Sequence, residues 1–296
     1  MDMPARIVDA HHHLWKISEV DYPWLRARGE RRFFGDPTPI QRDYLPADFR
    51  EDWTGLNVVA SVHIQVGVAK GAELEETRWL AKQTSATGLP TAIVAAADLA
   101  DAGIDRLLDY QQAASAGLRG IRQIVSRRDD EDRRTGSPAL LQDSRFLSGL
   151  KQLASRGLSF DLQLTPPYLL RATELLSQVP ELRVALCHLG SPWDQSPDGL
   201  SEWRRGLRAY AGLPHSYCKL SGFGMFDPAW TLPSLEPLIE GVLTAFPPER
   251  VMWGSNFPVD KLYRGYRETA EAIASFLTSE QREQIFWQTA QAHYRL

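Results

Sequence analysis

The sequence has little cysteine. Two in 296 residues, Cys187 and Cys218, cannot build a disulfide framework or a cysteine-rich zinc site. It has no excess of basic charge either. Lys and Arg number 33 against 37 Asp and Glu, a net charge of −4, so nothing in bulk neutralises a phosphate backbone and no nucleic-acid partner is expected. No apolar run approaches the roughly 20 residues needed to span a bilayer, so no membrane partner is expected. Met1–Ala10 lacks the basic-then-apolar pattern of a secretion signal, and a cytoplasmic protein with reduced thiols is the expectation. No stretch rich in Gly, Ser or Pro is long enough to divide the chain, so residues 1–296 read as one domain.

What is present is a globular composition, 43% hydrophobic and 24% charged, which argues against disorder. Short apolar runs alternate with longer amphipathic ones. The short runs are Arg6–Ala10, Val58–Val66, Thr91–Ala97, Gly117–Ile124, Leu158–Leu164, Leu182–Cys187, Ser216–Leu220 and Arg250–Trp253. Each suits a strand covered on both faces. Helical spacing fills the gaps over Ala72–Thr87, Ile104–Ala114, Ala139–Arg156, Tyr168–Gln178, Leu200–Ala211, Leu235–Phe246, Tyr266–Leu277 and Ser279–Tyr294. Eight such alternations predict an α/β fold, a single (β/α)8 TIM barrel. A doubly wound open sheet is disfavoured, because no Gly-rich phosphate loop follows any strand. The segment Leu14–Asp52 breaks the rhythm and carries many aromatics. As a long loop after strand 1 it would lie over the C-terminal face as a lid or pocket wall, or pack as an aromatic cluster beside the barrel.

The polar residues at strand ends are the candidates for chemistry. His11 and His13 fall on one side of strand 1 and His12 on the other, so His11 and His13 can converge on one ion. His188, after strand 6, can bring a third imidazole to the barrel mouth. Three neutral imidazoles can hold one divalent metal, zinc or manganese, with water in a fourth position. Asn256 follows strand 8 in Trp253-Gly254-Ser255-Asn256-Phe257-Pro258. Its amide can donate and accept hydrogen bonds, but it is no base near pH 7. Arg122, near the end of strand 4, suits a carboxylate or a polarised carbonyl and is a better pocket candidate than Arg119. Lys219 in strand 7 must reach a carboxylate, a substrate or solvent. His63 with Gln65 and Asp161 with Gln163 share strand faces and extend a polar cavity. Trp15, Trp24, Trp193 and Phe257 suggest its apolar or sugar-stacking walls. Cys187 and Cys218 read as small buried apolar residues. The carboxylates of Glu73–Glu76 and Asp129–Asp132 read as solvated faces. Aromatics in Phe223–Trp230 read as exposed, as a lid or the interface of a homodimer.

The segments VDAHHHLW, YPWL, RDYLPADF, EETRWL, GIRQI, CHLG, KLSG and WGSNFPVD occur in this order over almost the whole chain. Together they resemble the amidohydrolase superfamily, in the amidohydrolase 2 branch that includes sugar-acid and pyrone-dicarboxylate lactonases. The resemblance implies a (β/α)8 barrel that hydrolyses a small ester, usually a lactone. Two positions depart from it. The superfamily places a histidine at the end of strand 5, where this chain has Gln163. It places an aspartate after strand 8, as base or metal ligand, where this chain has Asn256. Some lactonases of the branch work without metal, which the resemblance leaves open here.

The sequence therefore points to a hydrolase of a small lactone, that of a sugar acid or a carboxylated lactone, by water attack at the C-terminal face of the barrel. His188 would be its base, Arg122 and Lys219 would orient a carboxylate or stabilise the oxyanion, and Asn256 would position water. His63, Gln65, Gln163 and Trp193 would bind substrate. His11, His13 and His188 would hold any metal. The alternatives are a metal-dependent non-oxidative decarboxylase of the same branch and an inactive sugar-acid-binding barrel.

Overall fold

All eight apolar runs form strands in the computed structural model, which describes residues 3–127 and 136–296. The strands are β1 (Ile7–His12), β2 (Val58–Ile64), β3 (Ala92–Ala96), β4 (Leu118–Ile124), β5 (Ser159–Gln163), β6 (Val184–Leu186), β7 (Ser216–Leu220) and β8 (Val251–Trp253). They pair in sequence order, each parallel to the next. Helices lie between them over Glu73–Thr87, Ile104–Ala114, Ser144–Ser155, Leu169–Leu176, Pro197–Ala211, Leu232–Ala245 and Tyr266–Ser275. This is a (β/α)8 barrel. It closes just past β8, where Asn256 N donates to His11 O at 2.7 Å and His13 N donates to Phe257 O at 2.7 Å. No helix among the described residues is long and apolar enough to cross a membrane.

The strand parity follows from side-chain size. Val8, Ala10, Val62, Ile64, Val94, Ala185 and Met252 cluster with Ala290 and Tyr294 from the last helical segment. Small and β-branched side chains suit a barrel interior, while the larger apolar residues fill the layer between sheet and helices. Two helices differ from expectation. Ala139–Arg156 is interrupted at Asp143, whose carboxylate accepts from Arg145 N at 2.9 Å and starts a new helix. Ser279–Tyr294 contains a π-helical turn over Gln284–Gln288, a feature that apolar spacing does not announce.

The long loop after β1 is held by its own hydrogen bonds. Trp15 pairs with Tyr44, and Trp15 Nε1 donates to Arg42 O at 2.6 Å. Trp24 Nε1 donates to Val66 O at 2.6 Å, which ties the loop to the chain just after β2. Both expected roles are present: Trp15, Tyr22 and Tyr44 are core, while Trp24, Phe33 and Phe34 wall a cavity.

Two surface expectations are corrected. Glu76 is fully buried, because its helix turns it inward toward His63. Phe223, Met225 and Trp230 are buried as well, and Phe226 packs edge-on against Trp193 at 4.9 Å, so Phe223–Trp230 is not an exposed aromatic patch. The run Asp129–Asp132 lies outside the described residues. Cys187 and Cys218 are free and buried as expected, and burial pushes the Cys187 thiol up to about 11, away from nucleophilic use.

Candidate active site

A cavity of about 330 Å³ opens at the C-terminal ends of the strands. Five of the polar residues singled out in the sequence line it: His13, Arg122, Gln163, His188 and Asn256. Strand ends and barrel closure bring them together. Asn256 is fixed beside His13 by the two backbone bonds that close the barrel. Arg122 lies near the end of β4, on the side of the barrel opposite β8.

The hydrogen bonds assign roles. His13 Nδ1 lies 2.7 Å from Ile64 O, and a carbonyl only accepts, so Nδ1 carries the proton. Burial, helped by the Arg122 guanidinium, pushes His13 down to about 3 and keeps it neutral. Its Nε2 lone pair then faces Asn256 Oδ1 at 3.2 Å. Asn256 Nδ2 donates to Asp260 Oδ1 at 3.0 Å, which fixes the amide with its oxygen toward His13. Two acceptors side by side call for one shared proton donor.

Arg122 is buried and immobilised. Nη1 donates to Gln65 O at 3.2 Å and Nη2 donates to Gln163 Oε1, while Nε has no protein partner. Burial lowers the guanidinium below its ordinary value, yet a guanidinium stays charged in a protein. His188 Nδ1 lies 2.9 Å from Ser221 Oγ, and burial holds its imidazole well below the ordinary range.

The backbone here is strained. His188, Leu189 and Asn256 have φ of 53°, 57° and 57°, at a cost of roughly 1–3 kcal/mol each that the surrounding bonds must over-determine. Gly222 has φ +76°, and a Cβ there would lie 2.6 Å from His188 Nδ1. Gly222→Ala is therefore expected to push His188 off Ser221 and to cut turnover on the order of a hundredfold. Kinetics beside a melting curve check this, since loss of activity without loss of folding places the effect at His188.

Four expected site residues stand elsewhere. His63 points to the helical layer, because Val62 and Ile64 take the barrel interior. Its Nδ1 accepts from Leu14 N at 3.0 Å and its Nε2 lies 3.7 Å from Glu76. Gln65 offers its backbone carbonyl to Arg122 and turns its side chain onto Gly67 N at 2.7 Å. Trp193 packs between Phe33 and Phe226 and walls a neighbouring depression. Lys219 lies below the floor, fully buried, 2.5 Å from Asp161. Of the four expected wall aromatics, Trp24 alone lines the cavity. Trp15 and Phe257 are core.

Three useful residues escaped the sequence reading. Asp9 faces outward and accepts from His11 N and Ser255 N, each at 3.0 Å, bracing the bulge that brings His11 inward. Asp260 holds Asn256, and Ser221 holds His188. The signal for Asp260 was its place four residues after Asn256 in NFPVD.

Three imidazoles meet at this floor, with ring centroids 5.1 Å apart for His11–His13 and 4.4 Å for His11–His188. A divalent ion nevertheless fits the set poorly. Lys219 Nζ, an ammonium, lies 3.5 Å from His11 Nδ1. Arg122 adds a second fixed cation, and the Asp161 carboxylate already faces Lys219. A dication would add to the buried Arg122 charge, beside a carboxylate already committed to Lys219. Among the described residues no three His, Cys, Asp or Glu side chains are set to hold a metal.

Barrel and polar floor together define an amidohydrolase-type enzyme. The chain belongs to the amidohydrolase family, whose profile matches residues 8–296. An uncharacterised protein, y4mH, from Sinorhizobium fredii is 35% identical over 98% of each chain. An L-fucono-1,5-lactonase from Burkholderia multivorans is 27% identical over 99% of this chain and 97% of its own. The crystal structure of an amidohydrolase from Burkholderia multivorans with bound zinc is 25% identical and superposes with a TM-score of 0.81, covering 98% of this chain and 99% of the other.

Proposed function

We propose that this enzyme hydrolyses a small lactone of a sugar acid, with L-fucono-1,5-lactone as the first candidate. The observation that carries the reading is the acceptor pair of His13 Nε2 and Asn256 Oδ1 on the same floor as the buried Arg122 guanidinium. The pair suits one O–H of an attacking water. The guanidinium, with an unpartnered Nε–H, suits a carbonyl oxygen that gains charge. The cavity size suits a small ligand. Among the described residues, Arg32, Lys70, Arg127 and Glu30 also line it, a charged rim that suits a polar substrate.

The chemistry balances without further reactants. Water oxygen bonds to the lactone carbonyl carbon while its proton passes to His13 Nε2. The resulting imidazolium has an acceptor at each ring nitrogen, Ile64 O and Asn256 Oδ1. The ring C–O bond then breaks, and His13 returns the proton to the departing alkoxide. The product is a hydroxy acid, which loses a proton to solvent. His13 suits the base better than His188, because Ile64 O fixes the His13 proton on Nδ1 and leaves Nε2 a lone pair, whereas the Ser221 hydroxyl beside His188 Nδ1 can donate or accept. His13→Ala is accordingly expected to lower kcat by about 10²–10⁴. Acid release read by a pH indicator tests both points. A His13→Ala variant as active as the wild type would overturn the assignment, and carbon dioxide as a product would favour the decarboxylase reading.

A further inference from the structure

Lys219 makes a set of contacts that the proposed hydrolysis does not use. It is fully buried, and its Nζ lies 2.5 Å from Asp161 Oδ2, 2.9 Å from Ala10 O and 3.5 Å from His11 Nδ1. An ammonium has three N–H donors and no lone pair. Its carboxylate and carbonyl neighbours can only accept. The third direction meets His11, and only a lone pair on Nδ1 is compatible with an ammonium there. Tyr294 holds Asp161 from the other side, donating to Oδ2 at 2.9 Å, so the ion pair has little freedom to turn away.

We infer that Lys219 holds His11 as its Nε2–H tautomer, and that this keeps a divalent cation off the three-imidazole floor. His11 is fully buried and neutral, with a single ring proton to place. With Nδ1 facing Lys219, the proton sits on Nε2, an atom with no protein partner. His11 therefore offers the floor a donor where a metal would need a lone pair. Lys219 is a positioning residue acting through His11. Gly254 supports the arrangement, since a Cβ there would lie 2.6 Å from His11 Cβ, so the imidazole is held tightly against the β8 end.

The inference does not depend on the substrate, so it and the lactone reading fail in separate experiments. Two measurements on the full chain test it. The first is ¹⁵N NMR of the histidine side chains, with the His11 signals assigned by loss in His11→Gln. The expected result is a proton on Nε2 and none on Nδ1. A proton on Nδ1 would overturn the inference. The second is titration with zinc chloride alone. The Lys219→Met/Asp161→Asn double variant removes both charges, because removing one alone would strand the other in the core. It is expected to bind zinc at least about tenfold more tightly than the wild type, and a further His11→Gln change is expected to abolish the gain. Equal zinc affinity in wild type and a folded double variant would contradict the inference. If the double variant does not fold, the NMR result on the wild type decides alone.

Discussion

Arg122→Met is expected to lower kcat on a lactone substrate by about 10²–10³, with a smaller change in KM. The guanidinium is already paid for in the resting protein: Gln65 O and Gln163 Oε1 hold it in place before substrate arrives. A donor fixed in that way stabilises charge as it develops on the carbonyl oxygen more than it stabilises the neutral ground state. Methionine keeps much of the volume and removes the donors. Arg122→Lys is not a conservative change here, because one ammonium cannot bridge two acceptors and still present a free N–H in the same plane. Steady-state kinetics on both variants check this. A rise in KM with kcat unchanged would move Arg122 from oxyanion stabilisation to simple substrate binding.

Stability is expected to fall steeply as the pH drops through about 5.5. Burial holds His11, His12, His13, His188 and His293 below the ordinary imidazole range, so the unfolded chain takes up protons there that the native state does not. Each contributes stability that is present above the unfolded value near 6.5 and lost below it. Asp9 and Asp260 act in the opposite sense. Burial raises them to about 6 and about 7, so the native state binds protons that the unfolded state has released, and stability falls as they ionise. Five histidines against two carboxylates leave roughly three extra protons on the unfolded chain, a slope of about 4 kcal/mol per pH unit near pH 5.5. Denaturant unfolding at several pH values between 5 and 7 measures the slope. A flat profile would mean that the buried histidines are already charged in the native state.

The eight strands were legible because each is a short apolar run bounded by turn residues, covered on both faces. That same two-sided burial hid the strand parity. In β2 both faces are apolar enough that nothing in the sequence tells whether Val62 or His63 faces the interior, and His63 and Gln65 were accordingly aimed at the cavity. His11 and His13 were placed correctly, with His12 outward and stacked on Phe49. Simple alternation would also have turned Asp9 inward, and a register shift between Asp9 and His12 prevents it. Lys219 does face the interior, but depth along the barrel is invisible in sequence. It meets Asp161 below the floor, not a substrate above it. Arg122, Gln163, His188 and Asn256 line the cavity as their strand-end positions suggest, because polar residues at the C-terminal ends of barrel strands have few other places to go. Asp260 and Ser221 act through a neighbour, and only Asp260, four residues after Asn256, has a positional signal in the sequence.

The proposed lactone hydrolysis uses only the chain's own side chains. Acid release from L-fucono-1,5-lactone, measured before and after dialysis against a chelator, tests it most directly. One acid equivalent per lactone opened is expected, with the same kcat/KM once metal has been removed. No acid release from this or related sugar-acid lactones, or activity that vanishes with the metal and returns with zinc, would contradict it.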